Sequence, residues 1–371
     1  MDKEATSKYL LLNFLKIGAT SFGGFLALVS VIQDQMVTRD KAIKNELILD
    51  GISLASVLPG PLAVNVVTFI GYHLKGIRGA LLSMMAVILP SFVLVLALSW
   101  SYFEYGTLPI VDKIFSGIIP AVVAIIVIVA IRMAKKSVTD YKQWSICIVS
   151  GFLLILFGGF FITLGLIVAG GIIGATLYYR TLSQKESTES LPIRKKKNIP
   201  YLFLSILGVG IIAILLIPQF ASPGMQDFVK DIRKLMVVFS GISLTLFGGG
   251  YVFIPAIQET VVQNLHWLSV REFADGIAIG QITPGPILIS ATFIGYKVAG
   301  IWGAFIATIA IFLPSGVLMI AGSHFLEKFK KSNLVISIFM GLRPAVIGMI
   351  FAASFTIAQS ITINWQSIAI F

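Results

Sequence analysis

Residues 56–72 read SVLPGPLAVNVVTFIGY, and residues 281–296 read QITPGPILISATFIGY. A Pro-Gly-Pro triplet inside an apolar stretch cannot continue an α-helix. Each proline lacks an N–H and its ring clashes with the preceding turn, which costs about 3 kcal/mol or more in a helix interior. Gly60 and Gly285 admit dihedral angles that other residues resist, and Pro61 and Pro286 suit the first position of a new helix. The pattern predicts a fresh helix N-terminus at each triplet, its free N–H groups and positive dipole end presented to whatever lies in front. The flanking residues are apolar enough to lie in lipid, where irregular backbone is tolerated only if it lines a cavity or a protein interior.

Pro284 lies 225 residues after Pro59 (284 − 59), and the same offset relates much else. FLKIGATSFGGF at 14–25 aligns with FSGISLTLFGGG at 239–250, so that Phe22-Gly23-Gly24 meets Phe247-Gly248-Gly249. Gln33-Asp34 meets Gln258-Glu259, and Asp50-Gly51 meets Asp275-Gly276. After a one-residue deletion, Thr68-Phe69-Ile70-Gly71-Tyr72 meets Thr292-Phe293-Ile294-Gly295-Tyr296, Leu89-Pro90-Ser91 meets Leu313-Pro314-Ser315, and Gly117 and Pro120 meet Gly341 and Pro344. Chance enrichment in Leu and Gly does not hold one register while matching glycines, prolines and acids. The chain contains an internal repeat.

Of 371 residues, 57% are apolar and 12% charged, with mean hydropathy +0.95. A soluble domain is about half apolar and a quarter charged, so lipid is the solvent for most of this surface. Long apolar runs recur at about 77–100, 112–131, 144–179, 201–218, 234–257, 301–325 and 344–359, and about 20 residues cross a hydrocarbon core of about 30 Å. No barrel-like alternation is present, so the spans are helices. The fold class expected is an all-α polytopic membrane protein, in the cell membrane, with broken or re-entrant helices. The net charge of +11 sits in short connections between apolar runs; that is the positive-inside pattern rather than a nucleic-acid surface. Cys147, the one cysteine, reads as a small core residue. The first apolar stretch does not have the form of a cleavable signal peptide.

The expected organisation is a first repeat half with an apolar hairpin over 1–180, a cytoplasmic linker over 181–200, and a connecting span with the second half over 201–371. Arg132, Lys135, Lys136, Lys142, the linker, and Lys328, Lys330 and Lys331 are expected in the cytoplasm. The 101–113 connection, near Glu104 and Asp112, is poor in positive charge and reads as external. Its repeat partner near 325–333 is basic, so the halves are expected to be inverted, with the 201–218 span supplying the odd crossing. Arg39, Lys41 and Lys44 return to the cytoplasm only if the Phe-Gly-Gly and Pro-Gly-Pro segments are re-entrant hairpins; full spans place them outside, and both readings stay open. The second copy has nothing equivalent to 143–179 before Phe371.

The same breaks at matching positions of two inverted halves point to a transport site at the repeat interface. The bland alternative is proline kinks and close-packing glycines. Candidate substrate-binding residues in the first half are Ser21, Phe22, Gly23, Gly24, Ser56, Pro59, Gly60, Pro61 and Asn65. Those in the second half are Thr245, Phe247, Gly248, Gly249, Gln281, Thr283, Pro284, Gly285, Pro286 and Ser290. Their hydroxyl and amide donors, with no carboxylate among them, are expected to favour a fully deprotonated tetrahedral dianion over a species that carries its own acidic proton. Candidate coupling or charge groups are Asp34, Glu259, Asp50, Asp275 and Arg343; for the acids, helix capping is the cheaper role. No metal-ligand spacing, nucleotide-binding loop or nucleophile–base motif is found, so no metal, cofactor or enzymatic activity is expected.

Phe22-Gly23-Gly24, Gln33-Asp34, Pro59-Gly60-Pro61 and Gly117-x-x-Pro120, each with its second copy, resemble the chromate ion transporter family over nearly the whole chain. The resemblance implies two homologous halves of opposite orientation, chromate export and resistance, and chromate or sulfate as partner beside the bilayer, with no nucleic acid. A homodimer stays open. An inside-negative potential of about 100 mV favours exit of a dianion by roughly 4–5 kcal/mol, so alternating-access export needs no ATP. The alternatives are a proton-coupled carrier of sulfate or another oxyanion and, in a different class, a non-transporting membrane scaffold.

Overall fold

A computed structural model describes residues 6–22, 24–56, 58–105, 120–121, 123–124, 126–128, 130–135, 137–158, 160–183, 226–245, 253–323 and 332–359. Gly23, Phe247, Gly248, Gly249, the linker from 184 and the 201–218 span lie outside the described residues. Every regular element among those described is a helix. Contacts divide the chain into two compact units, one formed by 1–103, 195–245 and 279–326, the other by 104–194, 246–278 and 327–371.

The first unit starts with α1 (Ser7–Thr20), capped by Thr6, whose hydroxyl accepts the Tyr9 N–H at 3.1 Å. α1 ends where the Phe-Gly-Gly motif begins, and α2 (Gly24–Ile32) starts on the far side of it. α2 passes into a π-helical turn, Gln33–Arg39. α3 (Asn45–Ala55) leads to the first Pro-Gly-Pro, from which α4 (Leu62–Tyr105) emerges. α4 is two arms: Lys75 (φ −136°, ψ 23°) and Gly76 (φ 62°, ψ −150°) leave the helical region, and the chain doubles back. A Cβ placed on Gly71 would meet the Gly79 carbonyl, and one on Gly79 the Gly71 carbonyl. Only hydrogen lets the arms approach so closely.

The first arm, residues 62–74, is about 20 Å long and α3 about 16 Å. Neither alone crosses a core of about 30 Å. The second arm, about 43 Å long, does. Its start coincides with the apolar run read from residue 77.

The second half repeats this backbone. The second Pro-Gly-Pro is followed by one 3-10 turn (Ile287–Ile289) and directly by a long helix over Ser290–Gly322. That helix also doubles back, at Ala299 (φ −145°, ψ 33°) and Gly300 (φ 58°, ψ −146°), within 10° of the first half. Gly295 and Gly303 touch as Gly71 and Gly79 do, and a Thr292–Thr308 hydroxyl pair at 2.7 Å ties these arms. Lys41 (φ 49°) and His266 (φ 51°), 225 residues apart (266 − 41), share the left-handed region, and the π-helical turn Gln33–Arg39 has its counterpart in Glu259–Asn264.

The second unit contains α5 (Tyr141–Phe157) and α6 (Phe160–Ser183). In chain order, α7 (Gln226–Thr245) belongs to the first unit and packs along the Ser290–Gly322 helix; α8 (Phe253–Gln258) and most of α9 (Val270–Ile282) belong to the second. The Ser290–Gly322 helix is α10, and α11 (Asn333–Ala358) closes the second unit. α9 opens on a capping box, in which Ser269 and Glu272 accept each other's N–H at 3.1 and 2.8 Å. α11 lies against α5 and α6 through glycines: a Cβ on Gly341 would meet the Gly170 carbonyl, and one on Gly348 the Cys147 carbonyl. Cys147 is buried beside Ala134, Val138 and Ile347, as a core residue. Four described helical stretches are long and apolar enough to cross a membrane: Leu62–Tyr105, Ile162–Arg180, Ile287–Gly322 and Asn333–Thr356. Large apolar side chains such as Ile148, Phe152, Ile301 and Trp302 point outward, the surface a bilayer demands.

Candidate functional site

The two Pro-Gly-Pro turns lie in the first unit and have the same geometry. Gly60 and Gly285 both take φ 106°, a value that L-residues rarely adopt. All six residues of the two triplets are buried. Each turn is held by the other repeat. A Cβ on Gly60 would run into the Cβ of Ser315, and one on Gly285 would lie 2.6 Å from Ser91 Oγ. Ser91 and Ser315 are the repeat-equivalent serines of the two Leu-Pro-Ser motifs. The first triplet therefore docks on the second copy's serine, and the second triplet on the first copy's. Leu-Pro-Ser was matched in the repeat but was not among the candidate site residues. Its proline beside a serine in mid-helix was the available signal, since a helix that bends there presents its hydroxyl at an unusual angle.

The second crossing includes the first half's Phe-Gly-Gly break. The Gly285 N–H donates to the Ser21 carbonyl at 2.8 Å, the end of α1 supplying an acceptor that its own helix no longer uses. A Cβ on Gly285 would also lie 3.6 Å from the Gly18 carbonyl oxygen. Ser21 is buried, while Phe22 is exposed and Gly24 begins α2. At the first crossing, Asn65 is wholly buried and donates through Nδ2 to the Pro59 carbonyl at 3.1 Å. Its N–H bonds to the Pro61 carbonyl at 3.0 Å, which makes Leu62, Ala63 and Val64 the opening turn of the helix. Those three N–H groups have no intrahelical acceptor.

The hydroxyls differ from expectation in one respect. Ser21, Ser56, Thr245 and Thr283 donate to the carbonyls of Ile17, Ile52, Gly241 and Gly280 at 2.6, 2.7, 2.7 and 3.1 Å. Ser290, Ser91 and Ser315 likewise donate to Ile287, Ile88 and Phe312 at 3.4, 3.0 and 3.1 Å. Each proton is committed to the residue's own helix, as serine and threonine do in helices whose surroundings are dry. What these hydroxyls offer outward is lone pairs. Gln281, at the end of α9, is half-buried.

The ionisable candidates are dispersed. Asp34 pairs with Arg39 at 2.8 Å, both largely exposed. Asp50 is half-buried on α3. In the second unit Glu259 opens the π-helical turn, Asp275 is buried on α9, and Arg343 is exposed and stands 5.6 Å from the centre of the Phe339 ring. No cluster of metal-ligating side chains is found among the described residues. Beside the crossings, the second arms of α4 and α10 enclose an apolar cleft of about 180 Å³, in which Met84, Ile88 and Leu89 face their repeat partners Thr308, Phe312 and Leu313. It offers almost nothing polar and is no place for an anion.

The profile of the family described as "Chromate transporter" matches residues 8–175 and 233–371. The chain is 30% identical over 357 residues to the chromate transport protein of Cupriavidus metallidurans, covering 95% of this chain and 83% of that one. It is 31% identical over 347 residues to the probable chromate transport protein of Synechococcus elongatus, covering 93% and 83%. The uncharacterized transporter YwrA of Bacillus subtilis is 32% identical over 140 residues, 37% of this chain and 79% of that relative. No solved structure matches.

Proposed function

The chain belongs to the chromate transporter family, and on that premise we propose that it exports chromate across the cell membrane by alternating access, with the anion held at the two Pro-Gly-Pro crossings. The observation that carries this is the reciprocal docking of each triplet on the other repeat's serine, Gly60 on Ser315 and Gly285 on Ser91. Two close contacts at repeat-related glycines suit a pair of gates of which one parts while the other stays closed. Parting the first uncovers the N–H groups of Leu62, Ala63 and Val64. Those groups, with the positive helix end behind them, are suited to an oxyanion.

Each negative charge that leaves an inside-negative cell at about 100 mV gains roughly 2.3 kcal/mol, enough to drive export without a nucleotide. The short α3 and first arm of α4 favour a pair of half-helices meeting at the triplet over two full spans. That arrangement returns Arg39, Lys41 and Lys44 to the cytoplasm and leaves the halves inverted. The test has two parts. Cells that lose the protein become more sensitive to chromate, and proteoliposomes that carry it take up chromate faster than empty vesicles. Single cysteines near 104 and 332, on a Cys147→Ser background, label from opposite faces if the halves are inverted. Labelling from one face removes the inversion, and absence of chromate flux removes the transport assignment.

A further inference from the structure

We propose that the first crossing selects a singly protonated oxyanion, hydrogen chromate, over sulfate, and that Asn65 reads the proton. This rests on the placement of the anion site at the Pro-Gly-Pro crossings. The Pro59 carbonyl can only accept, so the atom of Asn65 that faces it at 3.1 Å is the NH₂ group, and the amide orientation is fixed by its partner. The other atom, Oδ1, is then an acceptor. It is buried and has no hydrogen-bond partner among the described residues. A buried polar atom left in that condition marks a place where something else donates. Nδ2 lies 3.3 Å from the Cβ position of Gly60, so the amide belongs to the wall of the triplet whose helix start would hold the anion.

The neighbouring hydroxyls do not supply the missing donor. Ser315 gives its proton to Phe312 and Thr68 gives its own to Val64 at 2.7 Å. A fully deprotonated dianion would bring more acceptors to an acceptor. A monoprotonated oxyanion brings negative oxygens for the helix N–H groups and one O–H for Asn65 Oδ1. Hydrogen chromate is a weak acid that exists near neutral pH, whereas hydrogen sulfate is a strong acid, so sulfate arrives with no proton to give. Chromate and sulfate are alike in shape and, as dianions, in charge; the proton that only chromate takes up near neutral pH is the property that separates them.

No protein group nearby takes over the titration. Residues 54–71, 79–99 and 300–322, which form the first crossing and its surroundings, contain no ionisable side chain. Charged or imidazole groups occur further along the same elements: Glu46 and Asp50 on α3, His73, Lys75, Arg78 and Glu104 on α4, and Lys297 on α10. Others lie on the elements packed against them: Lys8 and Lys16 on α1, Asp34 and Arg39 on the π-helical turn, and Asp227, Lys230, Asp231, Arg233 and Lys234 on α7. Asn65 is also unsymmetric. Its counterpart across the deletion is Ile289 or Ser290, so the carboxamide exists at one crossing alone.

The experiment uses the full-length protein in proteoliposomes with pH equal on both faces, so that a proton gradient plays no part. With total chromate fixed, the initial rate follows the hydrogen chromate fraction as pH rises above neutrality, falling about tenfold per unit well above chromate's ionisation. Sulfate competes about 10- to 100-fold more weakly than chromate, the penalty for leaving one buried acceptor unpaired. In Asn65→Leu the pH profile flattens and the sulfate penalty falls about tenfold. Equal competition by sulfate in the wild type, a flat wild-type pH profile, or wild-type selectivity in Asn65→Leu overturns the assignment to Asn65 and leaves chromate transport standing. A wild type that moves neither anion removes the transport function itself.

Discussion

Replacing Gly60 with alanine adds one methyl group at the point where the repeats interlock, and its cost has two separable parts. At φ 106° an L-residue is strained, by about 1–3 kcal/mol. The new Cβ also lands on Ser315 Cβ, an atom that cannot rotate away, and overpacking of this kind costs about 1–3 kcal/mol. The total of about 2–6 kcal/mol is a large share of the stability of an ordinary domain. Gly285→Ala suffers the same strain, but its methyl meets the Ser91 hydroxyl at 2.6 Å, which can turn aside; its loss falls in the lower half of that range. The serines make the test specific. Ser315→Gly in the Gly60→Ala protein returns the overlap, about 1–3 kcal/mol, and leaves the strain; Ser91→Gly in the same protein returns nothing. Thermal unfolding in detergent reads the stability, and chromate uptake by proteoliposomes reads the gate. A Gly60→Ala protein as stable as wild type, or one rescued equally by either serine, refutes the reciprocal docking.

The hairpin glycines give an ordered set. Gly76→Ala and Gly300→Ala have open space around the new methyl and lose only the strain of a positive φ with ψ near −150°, about 1–3 kcal/mol. Gly71→Ala and Gly303→Ala drive a methyl into a facing carbonyl, lose more than the turn glycines do, and lower the unfolding midpoint further. In the second unit, Asp140 caps α5 through the Gln143 N–H at 2.8 Å and accepts the Tyr178 hydroxyl at 2.6 Å. Burial opposes its ionisation, but the Tyr178 hydroxyl, the Gln143 and Lys142 N–H groups and the Lys142 charge outweigh it and hold the carboxyl below the usual range. With the folded value depressed, the stabilisation is present above the unfolded value and is lost as pH falls through the folded one. Asp140→Asn removes that acid-side loss, and Asp140→Ala lowers stability by about 1–2 kcal/mol at neutral pH, both read as unfolding midpoints against pH. Asp34→Asn breaks only an exposed pair and changes stability by about 1 kcal/mol or less, with chromate flux retained; loss of flux at normal stability makes Asp34 a coupling group instead.

What the sequence made legible and what it hid follow from the range of the interactions. Breaks are local: a proline without its N–H and a glycine without its Cβ end a helix wherever they stand, so α3 stops before Pro59 and α4 starts after Pro61 as the triplet requires. The repeat is legible for the same reason, because equal local chemistry gives equal dihedrals, and Gly60 with Gly285, Gly76 with Gly300, and Lys41 with His266 agree to within a few degrees. The partners of those breaks are long-range. Nothing in SVLPGP says that the serine of the other copy closes over its glycine, since that contact is set by how α4 and α10 fold back. The Asp34–Arg39 pair shows a subtler failure. An α-helix brings residues three and four apart onto one face, so a spacing of five reads as two unrelated charges, and Asp34 reads as a candidate for coupling. The chain between them is a π-helical turn, whose wider turn, bonded five residues apart, brings five-apart residues together. The acid has its base one turn away. The hydroxyls were legible in principle. A serine or threonine in a dry helix gives its proton to the carbonyl a turn behind, which turns a row of expected donors into a row of acceptors. That inversion, with the lone Oδ1 of Asn65 among them, makes the proton on the anion the decisive chemical feature at the first crossing.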